Sequence, residues 1–198
     1  MRNLLTLFLA IIAIIVYGQT FEGKITYQNS YKSKLPNVQD QQFNSMMGTV
    51  QEYIIKEGNY KSSFNGTLIK WQLYNKIANS ETILWNVGNI NPDSVISVEI
   101  NKGVVDILGY KCDEVKMNCK SGVQKYYFNQ KIGVDIALFK NHFYGNWYEY
   151  LNVSQSLPLK SIIDTQQFNL VSEAISLQEM KLDAKEFQLP ENAKTAKS

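Results

Sequence analysis

The stretch Tyr110-Lys111-Cys112-Asp113-Glu114-Val115-Lys116-Met117-Asn118-Cys119-Lys120-Ser121-Gly122-Val123-Gln124-Lys125-Tyr126-Tyr127-Phe128 decides the fold. Tyr110–Met117 reads as a strand, Cys119-Lys120-Ser121-Gly122 as a turn, and Val123–Phe128 as the returning partner. The same device recurs upstream. In Thr67–Tyr74, Ile69, Trp71 and Leu73 alternate with Lys70 and Gln72, and Thr82–Val87 repeats this with Ile83, Trp85 and Val87. In Val95–Ile100, Ile96, Val98 and Ile100 alternate with Ser97 and Glu99, and Asn101-Lys102-Gly103 then reads as a turn. Hairpins in series at short spacing predict an antiparallel meander.

Further out, Phe21, Gly23, Ile25 and Tyr27 share one parity against Glu22, Lys24, Thr26 and Gln28, the mark of a half-buried strand. Gln51–Lys56 and Tyr60–Phe64 are two more strands, and Asn65-Gly66 is a strong hairpin signal. Ser33–Gly48, with Pro36 and a polar run, reads as a linker holding one short helix. Between Lys131 and Leu157 the alternation stops. A short helix is expected from Ile136 to His142, followed by an aromatic loop, Phe143 to Tyr150. Strands resume at Leu157–Asp164 and from Phe168 to about Leu182, and Glu186–Pro190 closes the domain. Twist curls a sheet of about nine to eleven strands. The expectation is therefore a mainly β fold with minor α: one strongly curved antiparallel sheet or half-barrel with one or two short helices.

Met1-Arg2-Asn3, an apolar run from Leu4 to Val16, and small Gly18 make residues 1–18 a secretory signal, cut before Gln19. The run is short of the roughly 20 apolar residues a spanning helix needs. Export to the periplasm or the outer-membrane region is expected, with no transmembrane anchor after cleavage. Residues 19–190 then form a single β-rich domain and 191–198 a small, charged, disordered tail. With 20 basic against 18 acidic side chains and no basic cluster, the chain lacks the electrostatic footprint of a nucleic-acid binder.

Catalytic equipment is sparse. His142 is the single histidine, which excludes metal sites built on two imidazoles, and it reads as a packing or surface residue. No nucleophile elbow, phosphate-cradling glycine loop or zincin motif is present. Asp106, Asp113, Glu114 and Glu149 are spread over strands and turns with nothing to pair them as acid and base. A non-enzymatic protein needing no cofactor is the expectation. A hydrolase would require two converging carboxylates, one with a raised pKa. On one extended strand Cys112 and Cys119 would stand about 23 Å apart, far beyond disulfide reach, so a bond needs a tight turn near Lys116–Asn118.

Rings are the best candidates for function, since Tyr, Phe and Trp make up 12% of the chain. Trp71, Trp85 and Tyr127 fall on sheet faces, and Phe143, Trp147, Tyr148 and Tyr150 cluster before Pro158. They would line an apolar cavity with an aromatic lip, or else fill an ordinary core.

The order of features resembles a known group. Phe21-Glu22-Gly23-Lys24-Ile25-Thr26-Tyr27, Ile107-Leu108-Gly109-Tyr110-Lys111-Cys112, Tyr126-Tyr127-Phe128, Leu157-Pro158-Leu159 and Phe187-Gln188-Leu189-Pro190 together resemble secreted Bacteroidetes proteins of the GLPGLI and related domain-of-unknown-function families. Their architecture is similar to the periplasmic lipoprotein carrier LolA, a strongly curved antiparallel half-barrel covered by short helices. The resemblance implies fold and location and brings no catalytic residues. With the ring-bearing strands, it leads to the expectation of a lipid or other hydrophobic ligand bound in the curved sheet. The alternative is an envelope protein partner docked through the aromatic loop 143–150.

Overall fold

In a computed structural model, the described residues are 20–75, 80–83 (backbone alone), 93–140, 142 and 144–188. The leader, the tail, Trp85 and Phe143 lie outside them.

Ten strands form one antiparallel sheet: β1 (Gly23–Ser33), β2 (Val50–Lys56), β3 (Asn59–Phe64), β4 (Trp71–Asn75), β5 (Ser80–Ile83), β6 (Val95–Ile107), β7 (Tyr110–Cys119), β8 (Gly122–Gly133), β9 (Ser156–Asp164) and β10 (Phe168–Glu179). Their order across the sheet is β5-β4-β3-β2-β1-β10-β9-β8-β7-β6, so β5 and β6 are edges and the sheet stays open. The first and last strands, β1 and β10, pair with each other and join two meanders, β1–β5 and β6–β10, along a common seam. Two helices accompany the sheet, α1 (Asp40–Met47) and α2 (Trp147–Ser154), with short 3-10 turns at Ile136–Phe139, Tyr144–Asn146 and Ala184–Phe187.

The alternation in β1 is obeyed strictly. Ile25, Tyr27, Asn29 and Tyr31 are buried, while Gln28, Ser30 and Lys32 are exposed. Bulges interrupt the ladders opposite Thr26/Tyr27 and between Tyr127 and Phe128, where Pro158 pairs with Phe128. Such bulges bend a strand, and an irregular position tolerates the missing proline N–H. The buried side, called inner below, holds Tyr53 and Ile55 of β2, Tyr60 of β3 and Tyr126 and Phe128 of β8. The 3-10 turn at Ile136–Phe139 and α2 lie against it, contributing Phe139, Tyr150 and Leu151 to the same core.

Four local expectations need correcting. Asn65-Gly66 does not make a two-residue hairpin: β4 begins only at Trp71. The Asn65 Oδ1 instead accepts from Val50 N at 3.0 Å, and a Cβ on Gly66 would lie 2.5 Å from the Met46 carbonyl oxygen, so the pair seats the chain against the end of α1. Asn101-Lys102-Gly103 is not a turn but a bulge inside a longer β6. Gly103 takes φ +59, its N–H donates to Asp113 at 2.8 Å, and the chain turns at Leu108-Gly109. The described part of the expected aromatic loop, Tyr144 to Tyr150, is helical, because Gly145 and Asn146 in left-handed conformation redirect the chain into α2. In β4, Tyr74 pairs with Tyr60 and Gln72 with Ser62, so Tyr74 and Gln72 face inward while Trp71 and Leu73 face outward. Leu73 is still buried, since the 3-10 turn ending in Phe187 packs against β3 and β4.

α1 completes the sheet where β2 stops. β2 pairs with β1 only as far as Gln28, leaving the later ladder groups of β1 without a neighbour. The Asn44 side chain accepts from Tyr31 N at 3.0 Å and the Asp40 carboxylate from Ser33 N at 2.7 Å. Phe43 anchors the helix between Tyr31 and Phe168, its ring centroid 5.1 Å from that of Phe168.

Candidate functional site

A connected series of rings crosses the inner face. Tyr53 stacks on Tyr60 at 4.9 Å, Tyr60 on Tyr74 at 5.7 Å, and Tyr74 on Phe139 at 5.5 Å. His142 lies 4.9 Å from Tyr74 and 6.0 Å from Trp147, Trp147 lies 5.6 Å from Tyr150, and Tyr150 stacks on Tyr126 at 4.3 Å. Offset and tilted pairs at these separations contribute about 0.5–1.5 kcal/mol each beyond their burial. Several polar handles are engaged inside the stack, whereas the Tyr53 hydroxyl and Trp147 Nε1 are buried without a hydrogen-bond partner among the described residues. The Tyr60 hydroxyl meets His142 Nε2 at 2.5 Å, the Tyr74 hydroxyl donates to the Leu138 carbonyl at 2.9 Å, and the Tyr150 hydroxyl donates to the Ser156 carbonyl at 2.8 Å. Desolvation raises the Tyr53 and Tyr150 hydroxyls well above the ordinary tyrosine value.

The space in which a guest was expected is therefore occupied by the chain's own rings. Tyr150, Leu151 and Phe139 are 0% exposed, and His142 only 2%.

The outer face is organised differently. Reading across the register, one row runs Gln28–Glu173–Lys160–Tyr127–Glu114–Asn101. It is a polar ladder: Lys160 pairs with Glu173 at 2.7 Å and Asn101 donates to Glu114 at 2.9 Å. Burial works against the charge on Glu114, yet hydrogen bonds from Tyr127 and Asn101 with the nearby lysines hold its pKa below the usual range. Tyr127 is pushed up to about 12, first by burial and then by that carboxylate. Asp113 is also lowered, chiefly by its bond from Lys102. Neither carboxyl has the raised pKa a general acid would need.

The next row, Ser30–Val171–Ile162–Lys125–Lys116–Glu99, breaks the polar pattern. Val171, Ile162 and neighbouring Val123 form the half-buried floor of an open groove of about 820 Å³. Lys116 and Lys125 wall one end, Asp40 and Asn44 of α1 with Tyr31 and Lys32 of β1 wall the other, and Asp164 of β9 stands between them opposite Asn169. That volume falls in the range of small-molecule sites.

Of the sequence candidates, Trp147 and Tyr150 meet in the inner stack, and Tyr148 lies half-buried on the same helix. Tyr127 is on the outer face bound to Glu114, and Trp71 faces outward on β4. They do not line one cavity. The groove residues escaped sequence reading because each looks like an ordinary strand position; only the cross-strand register gathers them. Cys112 and Cys119 are both free thiols on an unbroken β7, as the strand geometry required.

No family model matches the chain, and no curated protein matches it. Among solved structures it is similar to a LolA superfamily protein from Nitrosomonas europaea, at 7% identity and a TM-score of 0.34, covering 86% of this chain and 91% of that one. Likeness at that score says nothing about ligand or location. Among the described residues no helix is long and apolar enough to cross a membrane.

Proposed function

We propose that this is an exported binding protein, not a catalyst, for a molecule with a hydrophobic part, and that the molecule is held in the outer-face groove. The observation that carries the reading is the groove itself, whose apolar floor of Val123, Ile162 and Val171 lies directly beside the polar, ion-paired row through Glu173, Lys160 and Glu114. Export rests on the basic start, apolar run and small exit residue of the first eighteen positions. The inner face is the poorer site, because a guest there would have to displace Tyr150 and Phe139 from full burial. Within the described part of the aromatic segment, Trp147 and Tyr150 are likewise turned inward onto the ring stack.

A fluorescent sixteen-carbon fatty acid titrated into the mature protein tests this. Saturable binding is expected, with loss in Ile162→Asp and Val171→Asp at unchanged melting temperature, and retention in Tyr148→Ala. Binding that survives both groove substitutions would overturn the assignment.

A further inference from the structure

We propose that the groove's ligand carries an anionic head, seated at Lys116 and Lys125, with its apolar chain laid across Ile162 and Val171 toward α1. The inference rests on the groove being the binding site and adds the chemistry of what enters it.

The register sets the argument. Lys116 of β7 and Lys125 of β8 are direct partners in an antiparallel pair. Side chains directly opposite in such a pair stand about 5 Å apart at Cβ, and like charges there repel. Each lysine has a carboxylate nearby, but the two are not equally held. Lys116 reaches Glu99 at 3.2 Å. Among the described residues Lys125 has only Glu114, at 3.9 Å, and that carboxylate already accepts from Asn101 and Tyr127. One ammonium of the pair is thus weakly compensated, at the edge of an apolar floor. An anion placed between the two relieves the repulsion and accepts from both.

The α1 end of the groove has no directly opposed lysine pair: Lys32 stands there with Asp40, whose carboxylate accepts from Ser33 N, and Asp164 of β9 is paired with Lys34. A negative head is therefore better received at the β7–β8 end, which gives the ligand a direction. From β1 to β8 is three strand spacings, about 14 Å, a length that suits an extended alkyl chain.

The test uses twelve-carbon amphiphiles below their micellar concentration, titrated calorimetrically into the mature protein: dodecanoate, dodecyl phosphate, dodecyl maltoside and dodecyltrimethylammonium. Dodecanoate and dodecyl phosphate are expected to bind more tightly than the maltoside, and the ammonium most weakly. Lys125→Gln should cost the anions about 1.5- to fivefold, the range of a partly exposed charge pair, and leave the maltoside unchanged. Raising salt should narrow the gap between anion and neutral probe. If neutral and anionic probes bind equally, or the ammonium binds best, the anionic head is wrong while the groove stands. If none of the four binds, the groove reading itself falls.

Discussion

The two faces of the sheet are made from the same strands and differ in how they treat polar atoms. Inside, hydroxyls and the imidazole are dry, and several are bonded to each other or to backbone carbonyls, as with Tyr60 and His142 or Tyr150 and Ser156. Outside, charges are many and meet in cross-strand pairs such as Lys24 with Glu52 and Lys160 with Glu173. An interior packed with rings leaves no freedom to accept a guest without breaking stacks. A surface of exposed pairs contributes little to stability per contact and is free to be interrupted. The groove is such an interruption. Ring-rich strands had pointed to the inner face as the binding surface; the proposed groove lies on the face with fewer rings.

The sharpest way to break this contrast is to alter one tyrosine on each side. Tyr150→Ala should destabilise by about 3–5 kcal/mol, the range for deleting a large buried ring. Tyr127→Phe on the outer face should change stability by less than about 1 kcal/mol, since it removes one half-exposed hydrogen bond. Urea unfolding of the two variants measures both, and equal losses would erase the distinction. Tyr60→Phe comes next at about 1–3 kcal/mol, because the hydroxyl facing buried His142 Nε2 disappears.

A smaller effect belongs to the outer face alone. Glu22 accepts from Leu182 N at 2.8 Å and meets Lys181 at 3.1 Å and Lys56 at 3.3 Å, tying the C-terminal segment down. The Leu182 bond is the largest cause lowering its pKa from 4.5 to about 2. A depressed folded pKa contributes stability that is complete above the unfolded value and is lost as pH falls through about 2. Melting curves from pH 6 down to pH 2 should show a steeper decline for the native sequence than for Glu22→Gln; parallel curves would remove Glu22 from the account.

The smallest effect concerns the thiols. Burial pushes Cys112 up to about 11 and also raises Cys119. A water-soluble thiol reagent at pH 8 should react slowly with the folded protein, then titrate two sulfhydryls once it is unfolded without reductant. Fewer than two would mean that β7 does not run unbroken through both.

Much of the fold was legible because it is written in period two. β1, β2, β3, β7, β9 and α1 fall where alternation or its loss placed them. What was not legible depends on partners far away in sequence. Asn65-Gly66 carries hairpin chemistry, yet its side chain serves Val50 N across the chain. The 101–103 run has turn composition, yet Asp113 on the next strand converts it into a bulge. Trp71 and Leu73 read as a core-facing pair by parity, while Tyr74, one residue on, takes the inner place because it pairs with Tyr60. The groove was the least visible feature. Lys116 and Lys125 are separated by a turn, and Ile162 and Val171 by another, so their meeting is a property of register alone.

The division between a closed inner face and a receptive outer one is tested most directly by mapping amide chemical shifts of the isotope-labelled mature protein during titration with dodecanoate. The account predicts shifts concentrated at Val123, Lys125, Ile162 and Val171, with Tyr126, Phe139 and Tyr150 unmoved. Shifts centred on Tyr126, Phe139 and Tyr150 would contradict it, placing the guest among the rings.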